Sequence, residues 1–155
     1  MTDSTDKYIY AGFWRRFCAL VIDAITIHLL FFVAVFVVAL ALGLAGISVE
    51  ARFEEVSDTS YLGLLTLFWL LYRILLESSP LQATVGKLAL SIKVMDTTGQ
   101  RIGFLRAAGR NLSTLISDAT LLIGYIMAAF TPRKRALHDV IAGCLVVRTD
   151  VRPAS

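Results

Sequence analysis

Residues 13–46 read FWRRFCALVIDAITIHLLFFVAVFVVALALGLAG. From Phe17 to Gly46 there is no Lys, Arg or Glu, and the only acidic or imidazole groups are Asp23 and His28. An apolar run of about 18 or more residues predicts a transmembrane helix, and this run is longer. It opens with Arg15 and Arg16 and carries a carboxylate at Asp23. A charge on such a helix is costly and needs a partner, and often has a task. If the far end lies near Gly43 to Gly46, a core of about 30 Å takes roughly 20 residues. The inner boundary then falls near Asp23 to Ile27, so Arg16 and Asp23 sit at an interface and not at the midplane.

Composition agrees with a lipid environment. Of the 155 residues, 57% are hydrophobic and 17% charged, against about half and about a quarter in soluble domains. The net charge of +3 comes from basic groups clustered beside apolar spans. That placement fits anionic headgroups of a bilayer, and no aromatic-basic motif points to nucleic acid. Cys18 and Cys144 have neither disulfide-framework nor zinc spacing. The run before ALALGLAG is too long for the apolar region of a signal peptide, so an uncleaved first span is expected.

The rest of the chain divides around this span. Residues 1–10 form a polar tail, 17–46 the first span, and 48–60 an acidic loop. Residues 61–77 form a second span, with Arg73 and Glu77 spaced to pair at its exit. In 85–103, Leu88, Leu90, Ile92 and Val94 alternate with smaller or polar residues before the turn Asp96-Thr97-Thr98-Gly99. This predicts a small cytoplasmic β-hairpin. Gly86-Lys87 suggests a phosphate loop, but Leu81 and Leu88 occupy positions that need Gly and Ser or Thr, which rejects it.

Segment 104–130 is apolar but broken by Ser113, Thr114, Ser117 and Asp118. Thr131-Pro132 has the form of an N-cap and first helical residue. It predicts an interfacial amphipathic helix over 132–143, followed by a closing strand over 144–149 that can join the hairpin. The positive-inside rule puts Arg15, Arg16, the bases after the second span and Arg133–Arg135 all on the cytoplasmic side. A third full crossing would violate that, so 104–130 is expected to be broken or re-entrant. The predicted class is an all-α membrane protein, multi-pass in a bacterial inner (plasma) membrane, with the N-terminus cytoplasmic.

Chemistry concentrates on few residues. Arg16 and Asp23 share a helix face. Asp139, with Arg135 one turn earlier, can reach Arg16 at the same boundary. One arginine between two carboxylates leaves a negative surplus, able to bind a monovalent cation or hold a proton. The alternative is structural: Arg15, Arg73 or Arg135 neutralises it, or Arg135 and Asp139 pair locally. Asp118 suits a cap of a second half-helix. His28 suits a core or pore-lining role, and neither His28 nor His138 has metal-ligand spacing.

Three stretches in this order, GFWRRFCALVID, ATVGKLALSIKVMDTTGQ and PRKRALHDVIAGCLVV, resemble the RDD family of small membrane proteins. That family is named for one arginine and two aspartates, which match Arg16, Asp23 and Asp139. The resemblance covers nearly the whole chain and departs at Cys144, where a Thr commonly follows Ala-Gly. It implies a multi-span helical fold and a role in transport.

Three classes of function follow. A transporter or ion-exchange component is the first expectation, and two or three helices demand a homo-oligomer or a membrane partner to enclose a pathway. A non-catalytic scaffold or accessory subunit is the alternative. An enzyme is not expected, since the sequence holds no nucleophile–base set, no metal set and no cofactor loop.

Overall fold

The computed structural model describes residues 8–47, 58–119, 131 and 134–151. Helix α1 runs Phe13–Leu44 and helix α2 Asp58–Ser78. A short helix α3, Val85–Ala89, leads into strand β1, Ile92–Asp96. Helix α4, Phe104–Ala119, one-turn helix α5, Leu137–Ile141, and strand β2, Cys144–Arg148, follow among the described residues.

Apolar continuity makes α1 long, and its mean hydropathy reaches 2.8 over the most apolar window, of which only 6% is buried. A soluble core helix would be mostly covered. Residues 59–78 pass the same length and apolarity test. The buried positions of α1 are Arg16, Ala19, Asp23 and Ile27. They form one stripe at helical spacing, confined to the first half of the helix. In the second half of α1, Phe31 meets Tyr61 and Phe68 edge-on, with centroids 5.6 and 5.8 Å away. Tyr72 meets Asp23 farther in, so α1 and α2 run antiparallel. Most of the Leu, Val and Phe side chains from Leu29 to Leu44 point outward uncovered.

Among the described residues, the remaining elements pack at the end where α1 begins and α2 finishes. Strands β1 and β2 pair antiparallel, with Val94 opposite Val146 and Asp96 opposite Cys144. The segment before α1 lies along the other edge of β2: the Ala11 N–H donates to the Val146 carbonyl at 2.9 Å. Ile92, Val94, Cys144 and Val146 join Ala11, Ala19, Ile74, Ile102 and Ala107 in the main core. Met95, Leu145 and Val147 form a second cluster with Tyr8 and Tyr10.

The hairpin expected over 85–103 is corrected. The turn is present: Asp96 accepts the Thr98 and Gln100 N–H groups, each at 2.8 Å, and Gly99 has φ +84°. The chain beyond it buries Ile102 and enters α4 at once, leaving no length for a second strand. Distant β2 takes the partner's place. Residues 85–89 are helical because Gly86 must lie against α1, and Ser91, at φ +52°, separates that turn from the strand.

The helix expected over 132–143 is also shorter. Its N-cap is Ala136, and the Thr131 hydroxyl instead accepts the Arg135 N–H at 2.7 Å. Asp139 decides this start, since its carboxylate reaches back to the Ala136 N–H at 3.2 Å as an acidic N3 residue does. Of segment 104–130, residues 104–119 are helical, and the expectation of a break or re-entry falls on 120–130, outside the described residues. Within α4, Ala107, Arg110, Asn111 and Thr114 are buried while Leu105 is 85% exposed. A soluble surface helix has the reverse arrangement. The outward apolar face calls for lipid or another protein against it.

Candidate functional site: a buried ion cluster and its cleft

At the end where α1 begins and α2 finishes, α1 supplies Arg16 and Asp23, α2 Arg73 and Glu77, α3 Lys87, α4 Arg110 and α5 Asp139, all buried. Each comes from a different turn, so the cluster exists only after the helices have packed. Burying one ion costs several kcal/mol of hydration and is tolerated only with a partner. The geometry supplies partners throughout.

Asp139 sits at the centre. It is ion-paired with Arg16, and accepts Arg110 Nε at 3.0 Å and Nη2 at 2.9 Å. Burial alone would raise its carboxyl, but the Arg16 and Arg110 guanidiniums outweigh that and hold it well below the usual range. Arg16 also donates Nε to the Ala11 carbonyl at 3.0 Å and Nη2 to the Lys134 carbonyl at 2.6 Å. It thereby ties the start of α1 to the segment before α5. Glu77 is ion-paired with Lys87, accepts Arg110 Nη1 at 2.6 Å, and accepts the Asn111 amide at 2.9 Å. Arg110 thus bridges the two buried carboxylates.

Asp23 has a different set. Its Oδ2 accepts the Thr84 hydroxyl at 2.6 Å, and its Oδ1 accepts the Gly86 N–H at 2.8 Å and the Tyr72 hydroxyl at 3.0 Å. Tyr72 in turn accepts the Val85 N–H at 3.0 Å. Gly86 permits this approach. A Cβ there would stand 2.2 Å from the Ala19 carbonyl oxygen and 2.9 Å from the Asp23 carboxyl carbon. Asp23 therefore fastens α3 to α1 and reaches across to α2.

These groups surround a cleft of about 350 Å³, counting its open mouth. Its walls carry Arg16, Asp23, Arg73, Lys87, Arg110 and His138. The Arg73 guanidinium carbon also lies 5.9 Å from the Trp69 ring centroid, within cation–π range. Burial pulls the Lys87 ammonium down to about 8, with Arg110 and Arg73 adding to the effect and Glu77 opposing it. Burial takes the His138 imidazole down to about 3 despite Asp139, and Arg110, Arg73 and Arg16 reinforce it. His138 is therefore neutral near pH 7.

Of the sequence-predicted trio, Arg16 and Asp139 meet directly, while Asp23 binds Thr84, Gly86 and Tyr72 on the cleft's other wall. Arg73 lines the cleft. Arg135 donates to the Asp139 main-chain carbonyl at 3.0 Å and not to its carboxylate. Arg15 pairs with Asp150 at the surface. His28 is exposed on α1, its Nδ1 2.7 Å from the Ala24 carbonyl oxygen. Asp118 lies in the last turn of α4. Other groups of the site fall outside the sequence-based trio and its secondary set, among them Glu77, Lys87, Arg110 and Thr84. Glu77 carried a signal as the acid closing an apolar span, and Arg110-Asn111 as a polar pair on an otherwise apolar helix face.

Beside the trio, α2, α3 and α4 bring the further cations Arg73, Lys87 and Arg110 together with the carboxylate of Glu77, which the pattern along one helix does not show. Among the described residues no group of three His, Cys, Asp or Glu is placed to hold a metal ion.

The model of the RDD family matches residues 10–143. The chain is 31% identical over 146 residues to the uncharacterized protein YxaI of Bacillus subtilis (strain 168), covering 88% of this chain and 96% of that protein. It is 30% identical over 146 residues to the uncharacterized membrane protein YteJ of the same organism, covering 90% of this chain and 82% of that one. No solved structure matches. With the family match running from the start of α1 to the end of α5, the chain belongs to the RDD family, a membrane-associated family.

Proposed function

We propose that this protein is a small-ion transport or exchange component of a bacterial inner membrane, working as a homo-oligomer. One observation carries the reading: an open cleft walled by ionisable side chains lies at the inner end of two apolar helices. Ionisable groups on membrane helices that face a cavity commonly mark ion pathways. Two helices do not enclose a route by themselves, and the uncovered apolar faces of α1 offer area for further copies. The bases gathered at this end support a cytoplasmic N-terminus and contact with anionic headgroups.

A second reading is favoured by one specific feature. Asp23, Glu77 and Asp139 each accept several donors, as architectural ion pairs do. On that reading the protein is a scaffold or accessory subunit.

Proteoliposomes separate the two. Imposed Na⁺, K⁺, Li⁺, H⁺ and Cl⁻ gradients should drive flux in the wild type on the transport reading. Absence of flux with every one of these ions overturns it. Asp23→Asn sharpens the comparison, because lost flux with intact assembly marks a transport role. Lost assembly marks a structural one.

A further inference from the structure

We infer that lipid covers the outward sides of α1 from Trp14 onward, of α3 and of the start of α4, so that the bilayer surface lies at Trp14 and the ion cluster sits inside the headgroup–acyl boundary. Relative to a surface beside Asp23, this moves the lipid about 14 Å along α1 at 1.5 Å per residue. The placement holds whether or not the cluster moves ions.

The direction of the side chains supplies the first argument. From Trp14 to Ile25 the exposed residues of α1 are Trp14, Phe17, Cys18, Val21 and Ile25, with Trp14 at 73%. Arg16 and Asp23, on the same turns, are buried. In α3, Gly86 and Lys87 are buried while Val85 and Leu88 are exposed. In α4, Arg110 and Asn111 are buried while Phe104 and Leu105 are exposed. A helix standing in water keeps its charges outside. The opposite order suits a bilayer, where ions find their partners within the protein.

Four observations name lipid as the cover. The exposed apolar face of α1 continues, past His28, into the face over Leu29–Leu44 of the same candidate span. From Trp14 to Leu44 the helix rises about 45 Å, which matches the roughly 40–45 Å of a bilayer with its headgroup layers. The other apolar sides lie on different flanks of the cluster, α3 packed on α1 and α4 on α2, and a bilayer reaches both at once. Polar residues take over at the sheet, where Thr97, Thr98, Gln100, Arg101, Thr149 and Asp150 are exposed. Arg106, the exposed cation of α4, reaches Asp96 on that side at 3.4 Å. At the proposed surface itself Trp14 suits the headgroup layer, and the exposed Lys134 ammonium beside Gly12 suits lipid phosphates.

The test uses the full-length protein in vesicles of phosphatidylcholine and phosphatidylglycerol. The chain has two tryptophans, so Trp69→Phe leaves Trp14 as the reporter. Bromine on the acyl chains quenches indole on contact and should remove most of the Trp14 emission, while aqueous iodide should remove little. Leu88→Trp and Leu105→Trp, each in a Trp14→Phe, Trp69→Phe background, should respond as Trp14 does. Thr97→Trp in that background is the water-side control and should respond in reverse. If a tryptophan variant does not fold, the native cysteines give a second reading. In open membrane sheets a charged maleimide should modify neither exposed Cys18 nor buried Cys144, because thiols react as thiolates in contact with water. Denaturation should make both react, and Thr97→Cys should react throughout.

Quenching by iodide and not by bromolipid at Trp14, Leu88→Trp or Leu105→Trp overturns the inference and puts this end in water. Quenching by neither overturns it in favour of a protein cover. Bromolipid quenching at some of the three sites and not the others overturns it too, as does modification of Cys18 in the sheets. Ion flux enters none of these readings, so the transport proposal stands or falls separately.

Discussion

Asp139 shows how one residue holds several constraints. It starts α5 through the Ala136 N–H, pairs with Arg16 from α1, and shares Arg110 with Glu77. Removing one partner of a buried pair leaves the other charged and dehydrated, which costs about 3–5 kcal/mol. Arg16→Met and Asp139→Asn should each cost about 3 kcal/mol, and the double variant should cost at least about 1 kcal/mol less than their sum. Unfolding titrations of the four proteins measure this; strict additivity would mean the pair is not coupled. His138, next along the chain, gives a pH signature. Its pKa falls from 6.5 to about 3 on folding, so between those values the unfolded chain binds the extra proton. Stability is then full above pH 6.5 and declines on acidification, at up to about 1.4 kcal/mol per pH unit. Asp139, held low by its guanidiniums, adds its own loss only below the ordinary carboxylate range. In His138→Gln the thermal midpoint should stay flatter from pH 6.5 to 4.5; an unchanged slope would assign the acid sensitivity elsewhere.

Among the elements, five-residue α3 ties α1 to α2 where α1 begins and α2 finishes. Five residues cannot form a stable isolated helix, and α3 exists because Asp23 and Tyr72 bind its first turn. Gly86 sits where its backbone touches α1, so Gly86→Ala forces the two apart or breaks the Asp23 bond. A loss of about 3 kcal/mol is expected from overpacking, read as a lower thermal midpoint and poorer recovery of folded protein in detergent. Gly109→Ala on α4 serves as the control, since a Cβ there meets nothing within 4 Å. Equal losses would mean the close approach carries no stability. This contact also marks where a reading of the sequence stops. The spans are legible because hydrophobic runs are local signals, and so is the Asp96–Gly99 turn. The helix at 85–89 is not, since alternation in LALSIKV reads as a strand until Gly86 is seen against Ala19. The closing strand joins β1 as its own alternation allows, but its place directly opposite β1 shows only once the chain beyond the turn is seen to enter α4.

For the whole molecule, the charge balance matters more than any single pair. Arg16, Asp23 and Asp139 are visible in the sequence motifs, and their shared boundary follows from span length. The full charge set of the site is not, because Arg73, Lys87 and Arg110 enter it only through packing of separate helices. Lys87 offers the way to change that set experimentally. It faces Glu77 and Arg73 from α2, Arg110 from α4, Arg16 and Asp23 from α1 and His138 from α5. With its pKa pulled down from 10.5 to about 8 by burial, it is charged below pH 8 and neutral above. Between pH 8 and 10.5 the unfolded chain holds the extra proton, so Lys87 makes stability rise through that window. Unfolding midpoints at pH 7, 8 and 9 measure the trend. Lys87→Arg should keep the charge and flatten the profile across that range. If the midpoint of Lys87→Arg still rises above pH 8, another group sets the trend.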